Sequence, residues 1–230
     1  YNTNMAANEC FLDSSTLREN VVALARNIGY IPRSRRSSRA KISFLISGLT
    51  ETVTATIRAG IICNGVAANT SYILSNSSID TSTIRVKVKP SESSSSSVTY
   101  QQIDNIVGVT STSSSYLLQE IEDERYELIF GDNVIGKKLS NDNYITVSYI
   151  ITGGKQGNGA AEFSFIGNVV DQDGAVIDAS NFSLVTTDEN SRDGDDIESI
   201  SSIKYYAPRI YSSQYRAVTA SDYESVLGYI

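Results

Sequence analysis

Tyr116-Leu117-Leu118-Gln119-Glu120-Ile121-Glu122-Asp123-Glu124-Arg125-Tyr126-Glu127-Leu128-Ile129-Phe130 is the stretch that decides the fold class. Two segments rich in aromatic and branched residues, 116–121 and 126–130, flank the acidic tip Glu122-Asp123-Glu124. That pattern predicts two strands joined by a solvated turn. Strand character recurs on both sides of it, at 71–75, 83–89 and 144–152. Further upstream Ile42, Phe44 and Ile46 alternate, and Val53, Ala55 and Ile57 follow the turn at 48–51. This period of two predicts another hairpin. β structure therefore fills the middle of the chain, and helical spacing is confined to its two ends.

At the N-terminal end Leu17, Val21, Leu24 and Ile28 recur at spacings of four, three and four, which predicts an amphipathic helix over 13–29. Thr16 and Glu19 suggest a capping box, while Gly29 and Pro32 supply a stop. At the other end Ile197, Ile200 and Ile203 resume helical spacing behind the acidic lead-in Asp193-Gly194-Asp195-Asp196, and Pro208 is expected to end that helix. Ser221 and Glu224 suggest the box of a last helix running through Leu227. The expected class is α+β, mostly β, with an N-terminal amphipathic helix, an antiparallel β-rich middle and two short helices near the C-terminus. A composition shift at Gly153 divides it into a helical lead-in and basic linker (1–40), a β-rich domain (41–152) and a second β subdomain with C-terminal helices (153–230).

Composition narrows the function. None of the 230 residues is histidine, so Ser-His-Asp and Cys-His catalysis and His-based zinc sites are excluded within the sequence. Cys10 and Cys63 match no zinc spacing and read as buried free thiols. The formal net charge of -7 argues against nucleic acid as a partner, and no apolar run reaches the ~20 residues of a membrane span. The glycine stretch 153–159 lacks the phosphate-loop pattern, and the acids near 171–174 and 188–193 lack calcium-loop spacing. Both read as turns or solvated loops, like the serine run 91–97. Glu120, Glu122, Asp123, Glu124 and Glu127 could hold a carboxylate pair of hydrolase type, but neighbours on a hairpin tip are more simply a solvated turn. The expectation is a non-enzyme with no cofactor and no metal site.

Charge is distributed unevenly. Residues 1–60 carry eight Lys and Arg against four acids, whereas 161–200 carry ten acids against Arg192 alone. Arg33, Arg35, Arg36 and Arg39, interleaved with serines, read as a mobile linker awaiting an acidic partner surface, which the region around 188–198 of another copy could supply. Near the C-terminus Tyr205, Tyr206, Tyr211, Tyr215 and Tyr223 crowd together. The stretch 207–216 is both aromatic and basic, so Arg209, Tyr211, Gln214, Tyr215 and Arg216 join the four arginines as candidate protein interface.

Longer blocks carry a resemblance. Asn4-Met5-Ala6-Ala7-Asn8-Glu9, the run from Phe11 to Ala25, and Ile28-Gly29-Tyr30-Ile31-Pro32-Arg33-Ser34 resemble the baseplate wedge proteins of T-even-type contractile-tailed phages, especially their cyanobacterial relatives. So do the block from Leu118 to Glu127, Phe130-Gly131-Asp132 and Ile135-Gly136-Lys137-Lys138-Leu139. Residues 199–223, with Ala207-Pro208-Arg209 and the block from Arg216 to Tyr223, resemble a segment shared more broadly with baseplate J-like proteins. The resemblance implies a structural protein of the virion tail, assembled in the host cytoplasm. It implies partners that are other copies of itself and other wedge and hub proteins, joining the baseplate periphery to the hub, with no catalytic residues and no nucleic-acid or membrane partner. It also implies that the chain is an internal piece of a longer protein, monomeric or weakly associating by itself. The competing reading is a carbohydrate- or receptor-binding β module of a tail fibre; sugar sites favour stacking on Trp, and the sequence has none.

Overall fold

The computed structural model describes residues 7–46, 61–66, 71–104, 106–163, 169–170, 176–177, 182–214 and 216–229. The class is mixed α+β, mostly β, in the expected order. Strands β6 (Ser115–Glu120) and β7 (Tyr126–Phe130) form the anticipated hairpin, with Tyr116 opposite Phe130 and Glu120 opposite Tyr126. Its tip is tight because Asp123 and Glu124 both take positive φ, 60° and 56°, and the Arg125 N–H returns to the Glu122 carbonyl. This is the primed turn whose twist suits a hairpin.

Around the hairpin lies a seven-stranded sheet in the order β2-β8-β4-β5-β6-β7-β3, with β2 (Ile61–Val66), β3 (Ser71–Leu74), β4 (Ile79–Lys89), β5 (Val98–Ile103) and β8 (Tyr144–Ile151). Only the β5–β6 pair is parallel. β5, where Val98 and Tyr100 alternate with polar residues, was not anticipated from the sequence. β2 and β3 occupy opposite edges although only four residues separate them. A flat sheet of this width would span about 29 Å, and a link of that length reaches about 18 Å, so the sheet must curl. Its concave side is lined by Ile84, Val86 and Val88 of β4, Leu128 and Phe130 of β7, and Ile145, Val147 and Tyr149 of β8. Phe130 sits centrally, with the Tyr72 and Tyr100 rings edge-on at 5.7 Å. Behind it the chain turns back on itself so closely that a Cβ on Gly131 would lie 2.2 Å from the Gly136 backbone.

The expected hairpin of Ile42–Ile46 with Val53–Ile57 is corrected in part. β1 (Arg39–Ile46) pairs antiparallel with β11 (Phe182–Arg192), about 140 residues downstream, in a two-stranded ribbon with several register irregularities. Residues 53–57 lie outside the described residues. Two short strands, β9 (Val169–Val170) and β10 (Val176–Ile177), form a second small pair.

Helices from the two ends of the sequence share a second core. α1 (Arg18–Asn27) places Val21, Val22 and Ala25 against Ile203, Ala207 and Ile210 of α2 (Ile200–Ser213), and Tyr30 closes the cluster. Val226 of α3 (Ala220–Tyr229) packs against it. The buried face of α1 is thus 21-22-25, with Leu17 left outside the helix and partly exposed. Its start is held by a longer-range device than a capping box. The Glu9 carboxylate accepts from the Thr16 N–H at 2.8 Å, the Thr16 hydroxyl at 2.7 Å, Asn20 Nδ2 at 3.0 Å and the Ser15 hydroxyl. The helix ends as read: Gly29, φ +83°, donates to Arg26 O and Tyr30 N–H reaches back to Ala25 O, a Schellman closure.

Pro208 does not end α2, which runs five residues past it. The missing N–H leaves one carbonyl bond unmade, but the buried row Ile203, Ala207 and Ile210 holds the helix on α1 across that position. The start of α3 lies earlier than the Ser221 reading. Thr219 and Asp222 form the reciprocal box, Asp222 Oδ2 accepting from Thr219 N–H at 2.8 Å and Thr219 Oγ1 from Asp222 N–H at 3.2 Å.

Candidate protein interface

Between the two cores runs the basic segment 33–39, tied down residue by residue rather than mobile. Arg33 exchanges backbone hydrogen bonds with Glu198 on one side: its N–H donates to Glu198 Oε2 at 3.0 Å, and its carbonyl accepts the Glu198 N–H at 3.0 Å. Ser34 contacts Thr81 of the sheet, hydroxyl to hydroxyl, at 2.7 Å. The Arg35 guanidinium pairs with Glu124 of the hairpin tip at 3.3 Å. Arg36 and Asp195 exchange a pair of backbone hydrogen bonds. The Ser37 N–H then donates to Asp80 Oδ2 at 2.7 Å. The backbone of the strap therefore meets the acidic region 193–198 of its own chain, while of its arginine side chains only Arg35 is in an ion pair among the described residues, with Glu124.

Three carboxylates make this junction. Glu198, almost fully buried, accepts from the Tyr30 hydroxyl at 2.7 Å and the Ser202 hydroxyl at 2.6 Å, besides Arg33. Glu120, at the end of β6, receives Arg18 Nε at 2.6 Å and Nη2 at 3.1 Å, while Arg18 Nη1 donates to the Glu198 carbonyl. One guanidinium thus joins sheet, helix α1 and the start of α2. Burial pushes the Glu120 carboxyl above its ordinary range, with the Arg18 hydrogen bond and charge opposing that rise. At Asp80 burial pulls in the same upward direction, but the donors Ser82 and Ser37 outweigh it and hold the carboxyl below its ordinary value. Sequence reading singled out Glu120 only as an acid near a turn, and missed Asp80 and Glu198. Besides the nearby Ser82 and Ser202, their partners Arg18, Tyr30, Arg33 and Ser37 are remote in sequence, so local spacing holds no trace of the junction.

Glu120 is occupied by Arg18, and Glu122 and Asp123 stand exposed at the turn. Among the described residues no group of three His, Cys, Asp or Glu side chains could hold a metal ion, and no helix is long and apolar enough to cross a membrane. Stretch 153–159 is a turn, with a single 3-10 turn at Gly154–Gly157. Cys10 is exposed rather than buried, because it lies in the turn ahead of α1 instead of on the helix's packed face. Cys63 lies on β2 and its side chain is outside the description.

The C-terminal candidates lie at the surface. Tyr211 is 61% exposed, and Tyr205 and Tyr223 are also exposed, whereas Tyr206 packs partly into the helical core. Arg209 stacks over the Tyr205 ring, 3.7 Å from its centroid, and its Nη1 donates to the Tyr205 carbonyl. Gln214 ends α2 in the left-handed conformation and accepts from Arg216 at 2.7 Å. Tyr215 lies outside the described residues. Arg36 and Arg39 are exposed, Arg33 and Arg35 half-buried.

No protein-family model matches the chain. It is similar to the Baseplate wedge protein gp6 of Enterobacteria phage T4. The two are 22% identical over 286 aligned positions, which take in 96% of this chain and 42% of the T4 protein. The chain therefore spans less than half the length of the relative it matches. The relationship is baseplate wedge-like, in agreement with the blocks quoted from the sequence.

Proposed function

We propose that the chain is a structural part of a phage tail baseplate wedge, assembling with copies of itself and with other wedge proteins to join the baseplate periphery to the hub. The observation that carries this reading is the extent of the similarity to the T4 wedge protein, which runs through both cores and the strap between them instead of stopping at one module. Its place is the virion tail, its work is done by protein contacts, and the three-part division at residues 40 and 152 belongs to the same reading. The contact surface is the outer side of α2 and its C-terminal end, Arg209, Tyr211, Gln214 and Arg216, with Tyr215 assigned to it on sequence alone. An aromatic that is already exposed, beside a cation stacked on another ring, offers area and orientation at little entropic cost.

The test uses the full-length protein carrying the chain. Tyr211→Ala is expected to leave circular dichroism and melting unchanged, because the ring supports neither core, while weakening assembly with a wedge partner by about 2 kcal/mol through faster dissociation. A cryo-electron map of the tail would place the curled sheet in the wedge. Density for it in a tail fibre, or full assembly by Tyr211→Ala together with Arg209→Ala, would overturn the reading.

A further inference from the structure

β4 passes through the sheet with its two faces sharply divided. Ile84, Val86 and Val88 point into the core, and Arg85, Lys87 and Lys89 point the other way. Arg85 and Lys87 are exposed and Lys89 is half-buried. Side chains on alternate residues of a strand stand about 7 Å apart, so three positive charges form a straight row. Like charges at that spacing repel, and a sheet normally answers them with acids on the neighbouring strands. Here the register puts Ser148 opposite Arg85, Thr146 opposite Lys87 and Tyr144 opposite Lys89 on β8, and Thr99 opposite Lys87 on β5. One strand further out Thr146 faces Asn64 and Ser148 faces Ile62 of β2, and on the other side Gln101 of β5 faces Ser115 of β6.

No acid therefore stands on the strand positions flanking the row. Among the described residues none of the three cations belongs to an ion pair, while Arg18, Arg35, Arg125, Lys155 and Arg192 all do. Glu92 and Asp142, on the loops beyond the Lys89 end, form no ion pair with it. In a chain of net charge -7, three cations in one straight row on a single strand face, none of them in an ion pair among the described residues, make a concentrated cationic surface.

We propose that the outer face of β4 is a docking surface for an extended acidic segment of a partner protein, with carboxylates on alternate residues. An extended strand repeats its same-side residues at the same ~7 Å as the row, so three carboxylates can meet Arg85, Lys87 and Lys89 in register without bending either chain. Neighbouring Thr and Ser hydroxyls can donate to carboxylate oxygens that the cations leave unfilled. A nucleic acid is the poorer fit: on the described strands only Tyr144, opposite Lys89, is placed to stack a base, and the net charge opposes a polyanion. The proposal rests on the charges and register of the sheet and is independent of the baseplate reading.

The experiment titrates the 230-residue chain into a labelled Glu-Thr alternating decapeptide, followed by anisotropy at about 20 mM and about 150 mM salt, where screening of exposed charges differs several-fold in range. The expected result is saturable binding that weakens roughly tenfold at the higher salt, and in R85Q/K87Q/K89Q a loss of about tenfold at the lower salt with most of the salt dependence gone. The control K137Q/K138Q, which removes two cations elsewhere, should bind as wild type. A peptide of the same composition with its glutamates in one block should bind more weakly. Equal binding by the triple variant, no binding by the wild type, no preference for the alternating peptide, or tighter binding of a duplex DNA of equal charge would each overturn the proposal. Melting of the triple variant is measured alongside; these exposed side chains support no core, so it should be unchanged, and a loss of fold would be read from a K87Q single variant instead.

Discussion

The two cores are built from opposite kinds of contact. Every member of the sheet core lies between Leu74 and Tyr149, so its pairings, some local and some across that stretch, close over less chain than the helical core does. The helical core joins residues 21–30 to 203–210, with the entire sheet in the interval. Closing so long a loop costs entropy that seven buried side chains must offset, unless the folded sheet has already brought the ends together. The difference teaches that the sheet is the independent unit and the helical cluster the dependent one. Their junction is polar, made of Arg18, Glu120, Glu198, Asp80 and the strap, so separating them exposes charge more than apolar area.

The largest test of that asymmetry substitutes one side chain in each core. Leu128→Ala, at a fully buried position of β7, is expected to cost about 4 kcal/mol and to lower protection of α1 and α2 amides along with the sheet. Ile203→Ala should cost about as much in the helical core but leave amides of β4, β7 and β8 protected in native-state hydrogen exchange. Protection of α1 surviving Leu128→Ala would break the comparison.

Next comes the junction. Arg18→Met leaves Glu120 buried without its cation and should cost about 3 kcal/mol in urea denaturation at neutral pH. Glu120 already titrates above its ordinary value, and losing Arg18 raises it further. A carboxyl with a raised folded pKa loses stability as pH rises through that value, so the deficit of Arg18→Met should shrink as pH is lowered into the acid range. A deficit independent of pH would show that Arg18 acts by packing alone.

A smaller effect is expected at Asp80, whose carboxyl the Ser82 and Ser37 donors hold below its ordinary value against the upward pull of burial. Asp80→Asn should cost about 2 kcal/mol at neutral pH by weakening hydrogen bonds to Ser37 and Ser82. Here the sign is reversed: a lowered pKa contributes stability above the unfolded value that is lost as pH falls. Wild type and variant should therefore converge in denaturation midpoint as pH falls below the ordinary aspartate range. Smallest of all, Asp123→Asn at a left-handed turn position should raise stability by about 0.5 kcal/mol, read as a slightly higher melting temperature, since Asn tolerates that backbone best after glycine.

Local physics was legible and distant pairing was not. Strands 116–121 and 126–130, the Gly29 stop and the helices at both ends follow from periodicity and from residues within a turn of one another. The β1 partner was misplaced because alternation in Ile42, Phe44 and Ile46 says that a strand exists, not which strand it meets. Pro208 misled because a propensity of one residue lost to burial of three. Glu9 was overlooked as a cap because it acts from outside the usual three-residue window. At the candidate interface, exposure of Tyr211 and Arg209 agreed with their aromatic and basic surroundings. The strap is fixed through its backbone and through Arg35, and the groups that hold it, at positions 80, 124 and 195–198, are connected to it by no spacing rule.

The meeting of α1 with α2 also has a mechanical meaning. Tension applied along the chain outside residues 12 and 226 reaches the helical cluster first, where α1 and α2 lie side by side, and the sheet hangs between them outside the direct line of load. Such a joint yields by helices sliding apart and by Arg18 letting go of Glu120, while the hydrogen-bonded strands are spared. Pulled in this way, the protein would lengthen at a low-force yield point before the stiffer curled sheet bears any strain.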